Sequence, residues 1–377
     1  MFDFPMTAPS IATGFFCLFA YIFVVYPNYK RGIEAPYTFS ISKSTKQYYV
    51  VLAGLAMVVF CQNGDFFHLM ETVHGYNFTP GAYNYGEEVY LQLGKLLDRN
   101  YLLFRTIVWG GAFTLYCWTA KRLQIPVYYA AVLLFCSYII LFTYARATLA
   151  MAVYFFGVSF LCKPIKNKKL LSYIIGAVII YKSWTFHNSA IVMIVITIIL
   201  LMPLRKWSIA LILIGIPFIA TIAKEYFYEV MILAEESESA VGERMSQYSQ
   251  SGSKLTIAET ILNIFNYPSI YFPIIISTIT IFTKNNIKKI PVHIIRLYKV
   301  AFGIIFMASI LYLFGATFYV MFYRVLFMAM IPVCLITTAL YKEGYISKKQ
   351  FKWCYMPGMI YCILKILYNI YCNYAAS

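Results

Sequence analysis

Long apolar runs separated by short polar breaks repeat along the whole chain. Runs near the ~20 residues that a helix needs to cross a hydrocarbon core recur too often for a soluble fold. They predict helical spans at 11–27, 46–62, 101–120, 125–143, 146–162, 169–182, 188–203, 207–224, 266–283, 297–314, 318–340 and 355–373. The pattern is that of an all-α, polytopic integral membrane protein of about twelve transmembrane helices, a single domain over residues 1–377. The opening "MFDFPMTAPS" carries Asp3 and no basic residue ahead of the first run. That run is expected to remain as a helix and not to act as a cleaved leader.

Two breaks are long, at residues 63–100 and 225–265. In the first, "EEVYLQLGKLLDR" sets Val89, Leu93, Leu96 and Leu97 on one helical stripe and Glu88, Gln92, Lys95 and Arg99 on the other. Such a stripe fits a helix lying in the membrane interface, or equally a loop helix packed on the bundle. The second, around "AEESESAVGERMSQYSQSGS", is polar and serine-rich, which suits a lid over a cavity or a plain tether.

Composition agrees with the pattern: 61% of residues are hydrophobic and 12% charged, against roughly 25% charged in soluble domains. Mean hydropathy is +0.70. The net charge of +16 changes the picture through where it falls. The odd-numbered loops carry Lys30, Arg31, Lys43 and Lys46; Lys121 and Arg122; Lys163, Lys166, Lys168 and Lys169; Arg205 and Lys206; Lys284, Lys288, Lys289, Arg296 and Lys299; and Lys342, Lys348, Lys349 and Lys352, against Glu34 and Glu343 alone. The even-numbered loops hold Asp65, Glu71, Glu87, Glu88, Glu235, Glu236 and Glu238. Because cytoplasmic loops retain Lys and Arg, the odd loops are expected inside, with both termini and both long loops outside. A cationic face of this kind meets anionic lipid headgroups, so the charge calls for no nucleic acid. The nine cysteines lie in or beside apolar spans without a CxxC pair, and are expected as buried thiols. No GxxxxGK[ST], GxGxxG or HExxH occurs, so no nucleotide, dinucleotide, metal or other cofactor is expected and any chemistry draws its energy from the substrate.

Polar residues at membrane depth mark candidate chemistry. Arg146 opens the fifth span; His187, Asn188 and Ser189 open the seventh, just after Lys182; Arg324 lies in the eleventh and Lys365 in the twelfth. Six residues at ~1.5 Å each would put Arg324 about 9 Å below the outer boundary. Lys182 and Lys365 read as snorkelling side chains. Arg146 can also snorkel, His187 can be an ordinary interfacial histidine, and Arg324 can pair with Asp65 or Glu88. Alternation of the spans sends Arg146, His187 and Arg324 toward the outer leaflet, where they are able to share one cavity. Tyrosines such as Tyr90, Tyr319 and Tyr323 belong to the aromatic belts of the interface, and aromatic faces also stack on sugar rings.

"NGDFF", "GEEVYLQLGKLL", "RATLAMAVYFFGVSFL" and "FHNSAIVMI" follow one another across residues 63–194. This ordered set resembles the EpsG-type Wzy polysaccharide polymerases, which likewise show a Gly-Asp-aromatic stretch, a Glu-X-X-Tyr/Phe stretch, an Arg-X-X-X-Ala helix start and a His-X-Ser-Ala helix start. Arg324 after Tyr323 resembles the arginine of their late helices. The chain departs from the family in having Ala147 after Arg146 where Gln is common, and Val89 after Glu88 where Pro is common. The resemblance implies a polymerase in the bacterial cytoplasmic membrane with its site facing the periplasm or exterior. Such an enzyme transfers a growing glycan on undecaprenyl pyrophosphate to a sugar hydroxyl of an incoming lipid-linked repeat unit, alongside a flippase and a chain-length regulator. Arg146 and Arg324 would then meet the departing pyrophosphate, His187 or else Asp65 or Glu88 would act as base, and Tyr90, Asn188, Tyr319 and Tyr323 would contact sugar. Two other classes remain open. A flippase or exporter of lipid-linked sugars should show two repeated halves, and the long loops fall asymmetrically. A membrane O-acyltransferase should meet its acyl donor on the cytoplasmic side, whereas His187 is expected outside.

Overall fold

A computed structural model describes residues 15, 18, 19, 21–25, 85–127, 130, 131, 133, 134, 145–187, 190–197, 200, 257–283, 286–313 and 319–376. Every regular element among these is helical. After a π-helical segment at Tyr21–Val25 come α1 (Tyr85–Leu96), α2 (Tyr101–Arg122), α3 (Ala145–Cys162), α4 (Lys169–Ser183), α5 (Ala190–Ile196), α6 (Ile257–Phe282), α7 (Val292–Leu313), α8 (Tyr319–Met328), α9 (Met330–Lys342) and α10 (Lys348–Ala376). The spans expected at 46–62 and 207–224 lie outside the described residues, as do most of 11–27 and most of 125–143.

Helix α4 shows which solvent the fold is built for. Its buried positions are Ser172, Gly176, Ile180 and Ser183. Leu170, Ile174, Val178 and Tyr181 are exposed. A soluble helix would do the reverse; small residues inside and apolar residues outside are the pattern of a helix packed in lipid. The small residues let α3 and α4 close together. A Cβ on Gly157 would lie 2.8 Å from Ile180 Cγ1 and 2.9 Å from the Gly176 carbonyl, and one on Gly176 would lie 3.0 Å from the Gly157 carbonyl. The stretches Ile261–Phe282, Val292–Tyr312 and Phe322–Lys342 are long and apolar enough to cross a membrane. The protein is a helical membrane protein.

Helix α9 is the centre of the bundle: every residue from Met330 to Tyr341 is buried, and α3, α6, α7, α8 and α10 all pack on it. Its polar groups are answered internally, as they must be away from water. The Tyr116 hydroxyl of α2 donates to the Ala130 carbonyl at 3.0 Å and meets Cys334 Sγ at 3.2 Å. Thr337 is hydrogen-bonded to the Tyr355 hydroxyl of α10. Cys162, Cys334, Cys354 and Cys362 are buried thiols and Cys117 a half-buried one.

The structure differs from the expected spans in several places, and α7 begins at Val292 instead of 297. The run at 318–340 is two helices with a break at Ala329, where Pro332 has no N–H for the Met328 carbonyl and its ring crowds that turn. The chain answers with a tighter turn, the Ala329 N–H donating to the Leu326 carbonyl at 3.0 Å. Helix α6 begins at Ile257, inside the stretch assigned to the second long loop, and α10 begins at Lys348 instead of 355, because polar residues can wind the turns that precede a membrane span.

One end of the bundle is knitted by cations. The Arg296 Nη1 donates to the carbonyls of Leu161 at 3.0 Å and Cys162 at 3.3 Å. The Arg122 Nη2 donates to the Lys163 carbonyl at 2.9 Å while its guanidinium stacks on Phe160 at 3.6 Å. Lys299 reaches the Leu200 carbonyl and Lys342 the Gln124 carbonyl, each at 3.5 Å. The last carbonyls of a helix lack partners and carry its negative dipole end, so positive donors there stabilise both chain ends at once. Burial, and behind it the Arg122 charge, hold the Lys163 ammonium below the usual lysine range.

Candidate functional site

The opposite end is organised by the corner between α1 and α2. Asp98 and Arg99 both adopt left-handed backbone, with φ of 51° and 56°. Asp tolerates that region better than most residues and Arg less well, so the corner carries some strain. The turn is closed by the Arg99 N–H on the Gly94 carbonyl at 2.8 Å. Asn100 then caps α2, its side-chain oxygen accepting from the Leu103 N–H at 3.0 Å. The corner folds α1 back over the start of α2, where the Tyr90 ring meets Phe104 edge-on at 6.0 Å.

The face that α1 buries is Tyr90, Leu91 and Gly94, and Leu96 is 80% exposed. Of the stripe expected from spacing, Leu93 and Leu97 are half-buried against the core and Val89 is half-buried, and Leu96 alone is exposed. The helix is rotated toward Tyr90 because that side chain has a polar target in the bundle: its hydroxyl donates to the Arg146 carbonyl at 3.3 Å. Tyr90 is 0% exposed. Burial pushes its phenol above the ordinary tyrosine range, with Arg146 opposing, so the donor proton is retained at any physiological pH. Tyr90 thus holds the first turn of α3 in place, and Arg146 projects from that turn as a half-buried side chain.

His187 lies at the same end. The links joining α3 to α4 are short and the two helices pack along their length, so the end of α4 returns to the start of α3. Beyond Ser183 the chain winds through Trp184, Thr185 and Phe186, whose N–H groups donate to the carbonyls of Tyr181, Lys182 and Ser183 at 3.2, 3.1 and 3.2 Å. The half-buried His187 follows, and its carbonyl accepts from the Ala190 N–H at 3.0 Å to start α5. Lys182 is exposed, as a snorkelling side chain would be. Helix α5 is held on α3 by the Tyr154 hydroxyl, which donates to the Met193 carbonyl at 2.9 Å and pairs with Thr197 at 2.9 Å.

Arg324 enters through a second group of helices. It is exposed on α8, one residue after Tyr323. The Tyr323 hydroxyl accepts from the Asn266 side-chain nitrogen of α6 at 3.1 Å and pairs with the Tyr361 hydroxyl of α10 at 3.1 Å. Its ring stands edge-on to Phe327 at 4.3 Å. The contacts therefore tie Tyr90 to Arg146, seat His187 at the same end, and place Tyr323 and Arg324 on α8; α9 packs on both α3 and α8. Asp65 and Asn188 lie outside the described residues, and Glu88 and Tyr319 are described in their helical backbone only.

Two polar features escaped the sequence reading. Asn266, 1% exposed, is the partner that holds Tyr323. Arg105 is 3% exposed, in the second turn of α2, with its guanidinium 3.9 Å from the centre of the Trp109 ring. The usable signal was an arginine four residues before a tryptophan in "LLFRTIVWGG", which puts both on one face of an apolar helix. The Trp109 indole N–H is itself buried and has no hydrogen-bond partner among the described residues. Leaving such a donor unmet costs about 1–3 kcal/mol.

This end therefore carries Arg146 in the first turn of α3 and the half-buried His187 after the end of α4, under a loop helix that bonds the Arg146 carbonyl. Among the described residues no cluster of His, Cys, Asp or Glu is able to hold a metal ion. No curated protein and no solved structure matches the chain. A model of the EpsG family matches residues 64–376, which include α1, Arg146, His187 and Arg324. With most of its length covered, the chain belongs to the EpsG family of Wzy-type polysaccharide polymerases.

Proposed function

We propose that this member polymerises lipid-linked repeat units on the outer side of the bacterial cytoplasmic membrane. The observation that carries the reading is the Tyr90 to Arg146 contact, by which the helix of the first long loop fixes the guanidinium-bearing turn of α3. The bond that breaks joins the anomeric carbon of the growing glycan to the pyrophosphate of undecaprenyl pyrophosphate. The bond that forms joins that carbon to a hydroxyl oxygen of the incoming unit. The hydroxyl proton passes to His187, or to Asp65 or Glu88, and Arg146 and Arg324 stabilise the charge that develops on the departing pyrophosphate. Guanidinium forks match phosphate oxygens in pairs, which an ammonium does not. Tyr323, Tyr319, Tyr90 and Asn188 are the proposed sugar-side contacts, with Tyr90 acting through Arg146.

Chain-length analysis of surface glycan from a deletion strain tests the reading. Single repeats left on the carrier are expected. Accumulated unflipped precursor would make the chain a flippase, and glycan of normal length lacking acyl groups would make it an acyltransferase. Orientation is tested separately with thiol reagents that do not cross membranes: cysteines engineered at Ser239 and Ser251 should be labelled from outside, and those at Asn167 and Asn286 should not. The reverse pattern overturns the outward site.

A further inference from the structure

Helix α8 carries Arg324 but is only ten residues long, and the break at Ala329 means that its rotation is not inherited from α9. Its sideways contacts must set that rotation. It packs chiefly on α7, and the Phe322 ring meets Tyr312 of α7 at 5.1 Å and Tyr267 of α6 at 5.6 Å. Apolar ring contacts tolerate some roll of a helix, whereas hydrogen bonds, steep in distance and angle, do not. The directional ties are at Tyr323, whose hydroxyl accepts from the Asn266 Nδ2 of α6 at 3.1 Å and pairs with the Tyr361 hydroxyl of α10 at 3.1 Å. Successive residues of a helix point ~100° apart, so holding Tyr323 on α6 and α10 also sets the direction in which Arg324 leaves α8. Asn266 is a costly group for that tie. It is buried in a stretch apolar enough to cross a membrane, and its side-chain oxygen has no hydrogen-bond partner among the described residues. Only one end of the amide can face the Tyr323 hydroxyl, so the other stays unmet whichever way the group is turned. An unmet polar atom lowers stability, and an apolar side chain of similar size would remove it. Folded proteins break such local rules chiefly at functional sites.

We propose that Asn266 is a positioning residue of the polymerase: with Tyr361 it clamps the Tyr323 hydroxyl, and so aims the Arg324 guanidinium at the pyrophosphate of the lipid-linked glycan. The proposal rests on the polymerase reading for the role of Arg324. Asn266 itself touches no reacting atom. Its N–H can only donate to Tyr323, and one proton is then shared between the Tyr323 and Tyr361 oxygens in either direction, so α8 is tied to both neighbours. Glue between helices is the competing role, since polar groups commonly join helices in lipid. The two differ in sign: glue raises the stability of the fold, whereas a clamp kept for aim is retained in spite of its unmet oxygen.

The test is a double-mutant cycle on the purified full chain in nanodiscs. Three quantities are read on the same samples: polymerisation of the lipid-linked repeat unit extracted from a deletion strain, binding of undecaprenyl pyrophosphate, and thermal unfolding. Asn266→Leu removes the donor together with the unmet oxygen and leaves Tyr323 its bond to Tyr361. The unfolding temperature is therefore expected to match or exceed that of wild type, while turnover per folded molecule falls about fivefold. Beside Arg324→Ala the same change should lower turnover no further, because the guanidinium it aims is gone. A lower unfolding temperature with unchanged turnover overturns the proposal and makes the contact helix glue. A fivefold loss that persists in full beside Arg324→Ala also overturns it, since Asn266 would then act on another group. If Asn266→Leu does not fold, Tyr361→Phe, which removes one hydroxyl, decides by the same cycle. A wild-type chain may build no polymer yet bind undecaprenyl pyrophosphate with an affinity that Arg324→Ala and Asn266→Leu lower without adding. That result sinks the polymerase reading and leaves the clamp standing. A wild-type chain that neither binds this lipid nor builds polymer overturns both.

Discussion

The two ends of helix α3 meet arginine in opposite ways. At its C-terminus the carbonyls of Leu161, Cys162 and Lys163 accept from Arg296 and Arg122. There the charge cancels the dipole of the helix and the donors are committed to the backbone. At its N-terminus Arg146 stands where the dipole is already positive, and a cation there is disfavoured unless an anion is at hand. Arg105 stands in the second turn of α2, and Arg324 is the sixth of the ten residues of α8. Arginine at one end of the bundle therefore closes off carbonyls of the fold, and at the other adds positive charge where a helix dipole is already positive. A glycan polymerase that must hold a pyrophosphate while charge builds on it has a use for such positive charge.

The comparison breaks most sharply at the arginines. Arg146→Ala and Arg324→Ala should each lower polymerisation by about 10²-fold or more, since a donor to developing charge is removed, with little loss of folded protein. The matching lysine variants should fall less, because charge remains and only the fork is lost. Arg296→Ala should do the reverse: it leaves the last carbonyls of α3 without their donor, so thermal stability and yield drop while turnover per folded molecule is kept. Glycan length on gels, scored against protein extracted in a folded state, separates the two. Equal loss of turnover in folded Arg296→Ala would erase the distinction between the ends.

Next in size is His187. If it takes the acceptor proton, His187→Gln should lower turnover by about 10²-fold while lipid-substrate binding persists, because glutamine can hold a hydrogen bond but cannot take a proton at neutral pH. Normal polymerisation by this variant would reduce His187 to a positioning group and move the base to Asp65 or Glu88. A smaller effect is expected at the crossing that joins the ends. Gly157→Ala inserts a methyl against Ile180 and the Gly176 carbonyl, so α3 and α4 must separate, at about 1–3 kcal/mol in a packed core. The fall in unfolding temperature should exceed that for Gly110→Ala, where nothing lies within 4 Å.

The sequence reading and the structure agree where a residue's position follows from period and charge alone. The runs at 101–120, 146–162 and 169–182 match α2, α3 and α4 within two residues, since apolar length fixes a span and lysines end it. The break at Ala329 was not read from the sequence, and a proline alone does not announce one: Pro268 and Pro273 stand inside α6 and Pro357 inside α10 without ending them. What stayed hidden depends on partners far away in sequence. The buried face of α1 is set by the Arg146 carbonyl, 56 residues on from Tyr90, and hydrophobic spacing cannot register a backbone acceptor. Arg105 was overlooked for a related reason: inside a run that is apolar on every side, nothing marks which face is buried until α1 and α3 cover one. Asn266 became visible only through the Tyr323 hydroxyl that it holds.

The smallest expected effect tests whether the loop helix sets the site or merely covers it. Tyr90→Phe removes one hydroxyl and leaves the ring against Phe104, so the packing of α1 survives. A hydrogen bond of this kind has a net worth of about 1 kcal/mol, and freeing the first turn of α3 should therefore lower turnover by no more than about fivefold. Because the phenol in place is pushed above its ordinary range by burial, ionisation removes the contact only at strongly alkaline pH, rising through the raised value. Below pH ~10 wild type and Tyr90→Phe should then differ by a constant factor. A gap that closes between pH 6 and 9 would mean that a different titrating group controls the turn. If the variant matches wild type at every pH while Arg146→Ala is dead, the start of α3 is held by its own packing on α2 and α4, and the corner at Asp98 and Arg99 serves only to bring α1 across the bundle.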